Sequence, residues 1–151
     1  MTDVRLTRTF SVPRERVYRA WLDPAAIRRW FAPDTYTVTG AEVDERVGGR
    51  HSVRHAGPDG SDVGGFESEL LELVPNERIV FRWGFVGPDR VPDPAHDSVL
   101  TIDLQPTPDG GTELTLVHSR LTGLRVARPE VAGNVAVGWE SALTHLTEVL
   151  S

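Results

Sequence analysis

The chain contains no cysteine and no lysine. Without cysteine there is no disulfide, no thiolate nucleophile and no cysteine-bound zinc. Without lysine, Schiff-base chemistry, a P-loop lysine and a catalytic lysine are excluded whatever the fold. All 16 basic residues are arginine, set against 22 acidic ones, for a net charge of −6. No basic run exists to neutralise phosphates, which argues against a nucleic-acid partner or an anionic membrane surface. No stretch approaches the roughly 18 apolar residues of a membrane-spanning helix. Met1 to Arg5 lacks the apolar core of a signal peptide, so a soluble cytoplasmic protein is expected. The patterns G-x-G-x-x-G, G-x-x-x-x-G-K and G-x-S-x-G are also missing, so no dinucleotide, P-loop or hydrolase-elbow chemistry is expected, and no cofactor.

What is present is one domain's worth of chain, residues 1–151, with 39% hydrophobic and 25% charged residues, an ordinary globular balance. The strongest periodic signal is the last stretch, 130–151. Trp139, Leu143, Leu146 and Leu150 recur at one helical face, widened by Val135, Ala142 and Val149. Gly138 is out of place in a helix interior unless the helix passes very close to a strand there.

The rest is mostly extended. Residues 3–12 alternate as a strand with one buried face. Ser11 and Pro13 suggest a helix start, and Asp23-Pro24 ends that helix and caps a second, 24–30. Strands are predicted over 36–44, 50–56, 63–74, 78–85, 98–105 and 112–118, joined by short turns and therefore antiparallel. Residues 86–96, with three prolines, read as a loop. Glycine pairs at Gly48-Gly49, Gly64-Gly65 and Gly110-Gly111 suggest a strongly curved sheet. The fold class is thus α+β: a curved antiparallel sheet of about seven strands round a long C-terminal helix, with two short helices after the first strand. Such a concave face is larger than one helix can fill, so a cavity is expected.

Several segments carry a family resemblance. They are Phe10-Ser11-Val12-Pro13-Arg14-Glu15-Arg16-Val17-Tyr18-Arg19-Ala20-Trp21, then Arg29-Trp30-Phe31-Ala32-Pro33 and Val47-Gly48-Gly49-Arg50. Val74-Pro75-Asn76-Glu77-Arg78, Gly111-Thr112-Glu113-Leu114 and Gly138-Trp139 follow in order. The chain resembles the helix-grip fold of the START and birch-pollen-allergen superfamily (SRPBCC). Within it, the chain is similar to the bacterial branch named after the activator of heat-shock-protein ATPase. The resemblance implies binding of lipids, hormones or polyketides, in some members their cyclisation or dehydration, and, by the branch's name, stimulation of a chaperone ATPase.

Candidate site residues follow from phase. Trp30, Phe31, Phe81, Trp83, Leu116, Trp139 and Leu143 are expected to form the apolar wall for a small hydrophobic or aromatic ligand, with Trp30-Phe31 at the mouth and Trp83 facing Trp139. Glu69 and His118 are the candidate polar contacts, and the one pair available for acid–base catalysis. Each has a plainer reading: a bulge at Gly64-Gly65 turning Glu67 and Glu69 to solvent, and a strand-end histidine satisfied by a backbone partner. Leu71 and Leu73 share the phase of Glu67 and Glu69 and look buried. His51 and His55, about 13 Å apart on a strand, do not suit one metal ion and read as sheet-lining or solvated residues, so no metal is expected. His96 and His145 read as surface residues, and Arg82 as outward-facing. A homodimer through an edge strand or the 86–96 loop is also compatible with the sequence.

Overall fold

A computed structural model describes residues 3–33, 35–89, 98–121 and 134–150. The elements run β1 (Val4–Phe10), α1 (Arg14–Leu22), α2 (Pro24–Trp30), β2 (Thr37–Val43), β3 (Arg50–Ala56), β4 (Asp62–Val74), β5 (Arg78–Trp83), β6 (Phe85–Val86), β7 (Ser98–Pro106), β8 (Thr112–Ser119) and α3 (Val135–Leu150). Most of the predicted 86–96 loop, the connector after Leu121 and His96 lie outside the described residues, as does the predicted start of the last helix before Asn134.

Every strand pairing is antiparallel, and the order across the sheet is β1-β8-β7-β5-β4-β3-β2, with β6 added to β4. This is the antiparallel sheet round a C-terminal helix that the pattern predicts, and the helix-grip arrangement that the resemblance implies. One strand more than expected arises because Gly84 interrupts the predicted 78–85 strand, leaving Phe85–Val86 to pair with Gly65 and Phe66. Register shifts occur between Val38 and Gly40, between His55 and Ala56, and between Leu70 and Glu72. Such bulges bend a sheet, and these lie in the β2–β3–β4–β5 half, at the far side of the strand order from β1. At Gly64 the backbone takes φ +94°, and an added Cβ would lie 2.0 Å from the Val86 carbonyl oxygen, so only glycine lets β6 close onto β4.

The short helices are set by their caps. Pro13, not Ser11, occupies the N-cap of α1, and no side chain caps that end. Asp23 caps α2 as predicted, its Oδ1 accepting from Ala25 N at 3.0 Å. Val17, Trp21, Ile27, Leu143 and Leu146 are fully buried, so the helices turn their apolar faces onto one shared core. That core continues through Phe81, Trp83, Leu100, Ile102 and Leu116 on the concave face of the sheet.

The outer face of the same strands carries charge. Arg50 pairs with Glu67 at 2.8 Å, Arg78 with Asp103 at 2.7 Å, and Arg82 with Glu69. Each is a partly exposed pair, individually worth little. They show which way the charged residues of β3, β4, β5 and β7 point: away from the helix.

Candidate functional site

The cavity lies at one end of the grip, where α3 begins. It measures about 500 Å³. Its described walls are Phe31, Ala32 and Pro33 after α2, Tyr36 before β2, His55 on β3, Val63, Gly65 and Phe66 on β4, and Phe85 and Val86 of β6. Asn134, Val135, Val137, Gly138, Trp139 and Ala142 close it from the first turns of α3. No Asp, Glu or Arg is among them. Tyr36, Val63 and Val137 remain 40%, 37% and 63% exposed and form an apolar rim.

Two of the predicted wall residues, Phe31 and Trp139, line this cavity. Their rings stand 5.9 Å apart at right angles, and Trp139 meets Trp83 at 5.2 Å as the pattern predicts. The others do not line it. Phe81, Trp83 and Leu116 on the sheet and Leu143 on α3 are completely buried, packed into the core between the two. Trp30, expected at the mouth, is 1% exposed; its indole N–H donates to Ala20 O at 2.9 Å and ties α2 to α1.

Glu69 corrects the expected polar contact. It sits on the convex face and pairs with Arg82, while Glu67 pairs with Arg50 and accepts from Ser52 at 2.7 Å. The reason is the bulge between Leu70 and Glu72. It inverts the alternation, so that Leu70 and Leu73 face the core while Leu71 is 39% exposed. Phase read backwards from Leu71 and Leu73 therefore puts Glu69 on the wrong face.

His118 faces inward but does not reach the cavity wall. Its Nδ1 accepts from the Trp139 indole N–H at 3.1 Å. That fixes the tautomer: Nε2 carries the proton and donates to Ser98 Oγ at 2.8 Å. The Ser98 hydroxyl in turn donates to the Trp83 carbonyl at 3.4 Å. Burial alone pushes His118 down to about 3, so the ring stays neutral. A Ser–His contact of this length suggests a nucleophile and its base, but a protonated Nε2 cannot take the serine proton. Its partners are side chains rather than the backbone group expected at a strand end. The network instead holds the Trp139 ring in place.

Three further histidines bond backbone carbonyls at the ends of the short helices. His51 Nε2 meets Trp21 O at 2.9 Å, His55 Nε2 meets Phe31 O at 2.7 Å, and His145 Nδ1 meets Ala32 O at 2.8 Å. The end of a helix leaves its carbonyls without intrahelical donors; His51 and His55 supply them at Trp21 and at the Phe31 cap, and His145 bonds Ala32 just past α2. His51 and His55 thus line the sheet, as one of the two readings had it, and burial holds His51 at about 4 against the opposing pull of the Trp21 carbonyl. His145 is half-buried rather than a surface residue. No group of three or more potential metal ligands occurs among the described residues.

Sequence reasoning missed Tyr36, His55, Val63, Phe85 and Val137 as wall residues. One signal was available: Val137 is an apolar residue off the α3 stripe, a position that otherwise faces water. Gly138 also departs from expectation. A Cβ there would meet nothing within 4 Å, so no strand approaches it. The missing side chain leaves room in the cavity.

No described helix is long and apolar enough to cross a membrane. No curated protein matches the chain. Among solved structures it is similar to protein CV1439 from Chromobacterium violaceum, at 33% identity, with 99% of this chain and 98% of that one covered and a TM-score of 0.77. Protein NE0264 from Nitrosomonas europaea is similar at 28% identity over 98% and 93% of the two chains, with a TM-score of 0.77. The AHSA1 (SPO3351) protein from Silicibacter pomeroyi shares the fold, at 22% identity over 99% and 97% of the two chains and a TM-score of 0.79. The profile of the family described as activator of Hsp90 ATPase homolog 1-like protein matches residues 11–151, and the chain belongs to that family.

Proposed function

We propose that the protein binds a small, uncharged apolar or aromatic molecule in the cavity between β4, β6 and the start of α3, and does not transform it. One observation carries this reading: a cavity of about 500 Å³ walled by Phe31, Phe66, Phe85 and Trp139, with no charged side chain among its described residues. Small-molecule sites have this form, at roughly 300–1,000 Å³ with mostly apolar walls and a few polar groups. Tyr36, His55 and Asn134 are the polar groups here. An anion or cation would lose its hydration in this cavity without gaining a counter-charge. The acid–base alternative, a cyclase or dehydratase acting through Glu69 and His118, loses its support. One group pairs with Arg82 on the far side of the sheet, and the other has both ring nitrogens engaged.

Thermal unfolding in the presence of matched compounds tests the reading. A neutral aromatic ligand at a hundred times its Kd adds about 2.7 kcal/mol. For a chain of this length that raises Tm by about 5–10 °C. Carboxylated and aminated analogues of the same ring system are expected to raise it little. Equal stabilisation by the charged analogues, or none by any neutral aromatic in the panel, contradicts the proposal.

A further inference from the structure

Four buried side-chain polar atoms have no hydrogen-bond partner among the described residues: Trp21 Nε1, His51 Nδ1, Ser68 Oγ and Trp83 Nε1. Ser68 is 6% exposed and the other three residues 0%. Buried polar atoms are almost always paired, so a group of four needs a reason. Three of them form a row across the concave face. His51 and Ser68 are direct partners in the β3–β4 register. The β4–β5 register pairs Glu69 with Arg82, and Glu67 N bonds Gly84 O at 2.9 Å, so Ser68 stands opposite Trp83 between them. Trp21 joins from the helix side through its carbonyl, which bonds His51 Nε2.

The chemistry of the row is specific. The Trp21 carbonyl can only accept, so the His51 proton sits on Nε2 and Nδ1 presents a bare lone pair. The row therefore offers one indole N–H donor on Trp83, one acceptor on His51 and one hydroxyl on Ser68 able to do either. That complements a single oxygen that both accepts and donates, which is a hydroxyl. A carboxylate or an ammonium would be buried there with no opposite charge.

Cavity-lining rings pack on this row: Phe66, Phe85 and Trp139 meet Trp83 at 4.4, 6.2 and 5.2 Å, and Phe31 meets both Trp83 and His51. Phe31 lines the cavity, and its ring lies 5.7 Å from that of His51, 6.0 Å from Trp83 and 5.6 Å from Trp21. It stands on a tight bend: Phe31 has φ −83° and ψ 49°, and Ala32 N bonds Trp30 O at 2.8 Å across it. This is an inverse γ-turn, the three-residue bend found where regular structure gives way to loop. The ring is thus placed by the first bend after α2 rather than by the helix itself.

Building on the ligand-binding reading above, we propose that His51, Ser68 and Trp83 form an inner subsite for the hydroxyl group of the bound molecule, reached from the cavity past the Phe31 ring. The ligand class narrows from apolar or aromatic molecules to uncharged hydroxylated aromatics. The test is an NMR titration of the ¹⁵N-labelled full chain with 2-naphthol and with 2-methylnaphthalene, which has the same shape without the hydroxyl. The indole N–H signals are assigned by single Trp→Phe substitutions. The naphthol is expected to bind about ten-fold tighter, the worth of one to two net hydrogen bonds, and to move the Trp83 indole signal downfield. Ser68→Ala is expected to erase most of that preference, read as the ratio of the two affinities in the same variant. Equal affinities, an unmoved Trp83 signal, or a preference that survives Ser68→Ala in full overturns the subsite and leaves the cavity reading standing. Failure of both compounds to bind overturns the two together.

Discussion

Acidification should unfold this protein through His118, and the size of the effect follows from the structure. Buried between Ser98 Oγ and the Trp139 indole, the ring is held neutral down to about 3. In the unfolded chain the same ring titrates near about 6.5. The folded value lies below the unfolded one, so as pH falls the unfolded state takes up a proton that the folded state refuses. Stability from this group is complete above about 6.5 and is lost progressively as pH falls towards about 3. Near pH 5.5 the unfolded ring is about nine-tenths protonated, giving a slope of about 1.2 kcal/mol per pH unit. Between about pH 7 and pH 4.5 the loss amounts to about 2.5 kcal/mol, a large part of the roughly 5–15 kcal/mol of a typical domain. His51, lowered to about 4, adds a similar term. The variant His118→Gln isolates the one residue. Its amide can accept from Trp139 and donate to Ser98, but it does not titrate. Urea unfolding at several pH values should give a slope lower by about 1.2 kcal/mol per pH unit in the variant than in the parent. Parallel pH profiles for the two proteins would refute the sealed, neutral His118 on which the Trp139 placement depends.

Three substitutions test the rest of the account. Gly64→Ala places a Cβ against the Val86 carbonyl at a backbone φ of +94° and should cost more than about 2 kcal/mol in chemical denaturation; an unchanged midpoint would contradict the close β4–β6 contact. Glu69→Gln removes a partly exposed ion pair on the convex face and should change stability by less than about 1 kcal/mol, with aromatic-ligand affinity unchanged in calorimetry. Gly138→Ala meets open space and should stabilise the helix by up to about 1 kcal/mol while weakening binding of ligands that fill the cavity. Destabilisation there would show that the glycine serves close packing after all.

The parts of the fold that were legible in the sequence are those governed by local period and turn chemistry. The α3 stripe, the Asp23 cap and the six strand segments expected after α2, one of which divides into β5 and β6, each follow from a few adjacent residues. Inward or outward direction was legible only where no bulge intervened. The extra residue between Leu70 and Glu72 leaves no mark in the hydrophobic pattern, and it reversed the side on which Glu69 was expected. The position of the cavity was not legible for a different reason. It depends on how far along the sheet α3 packs solidly, which is set by the whole concave surface. Of the wall residues expected from phase, Phe31 and Trp139 line the cavity because they sit where α2 ends and α3 begins. Phe81, Trp83, Leu116 and Leu143 share their chemistry but lie where the body of α3 packs on the sheet. The His118 network joins three residues distant in sequence, so only its inward phase could be read.

The central claim is that the space beside Trp139 holds a small neutral molecule. Native mass spectrometry of the freshly purified protein, run beside Gly138→Phe, tests it most directly. The substitution points a ring into the cavity from a position with nothing within 4 Å of the new Cβ. The account predicts a bound small-molecule mass on the parent protein and none on the variant. Bare protein in both, or the same adduct on both, would contradict it.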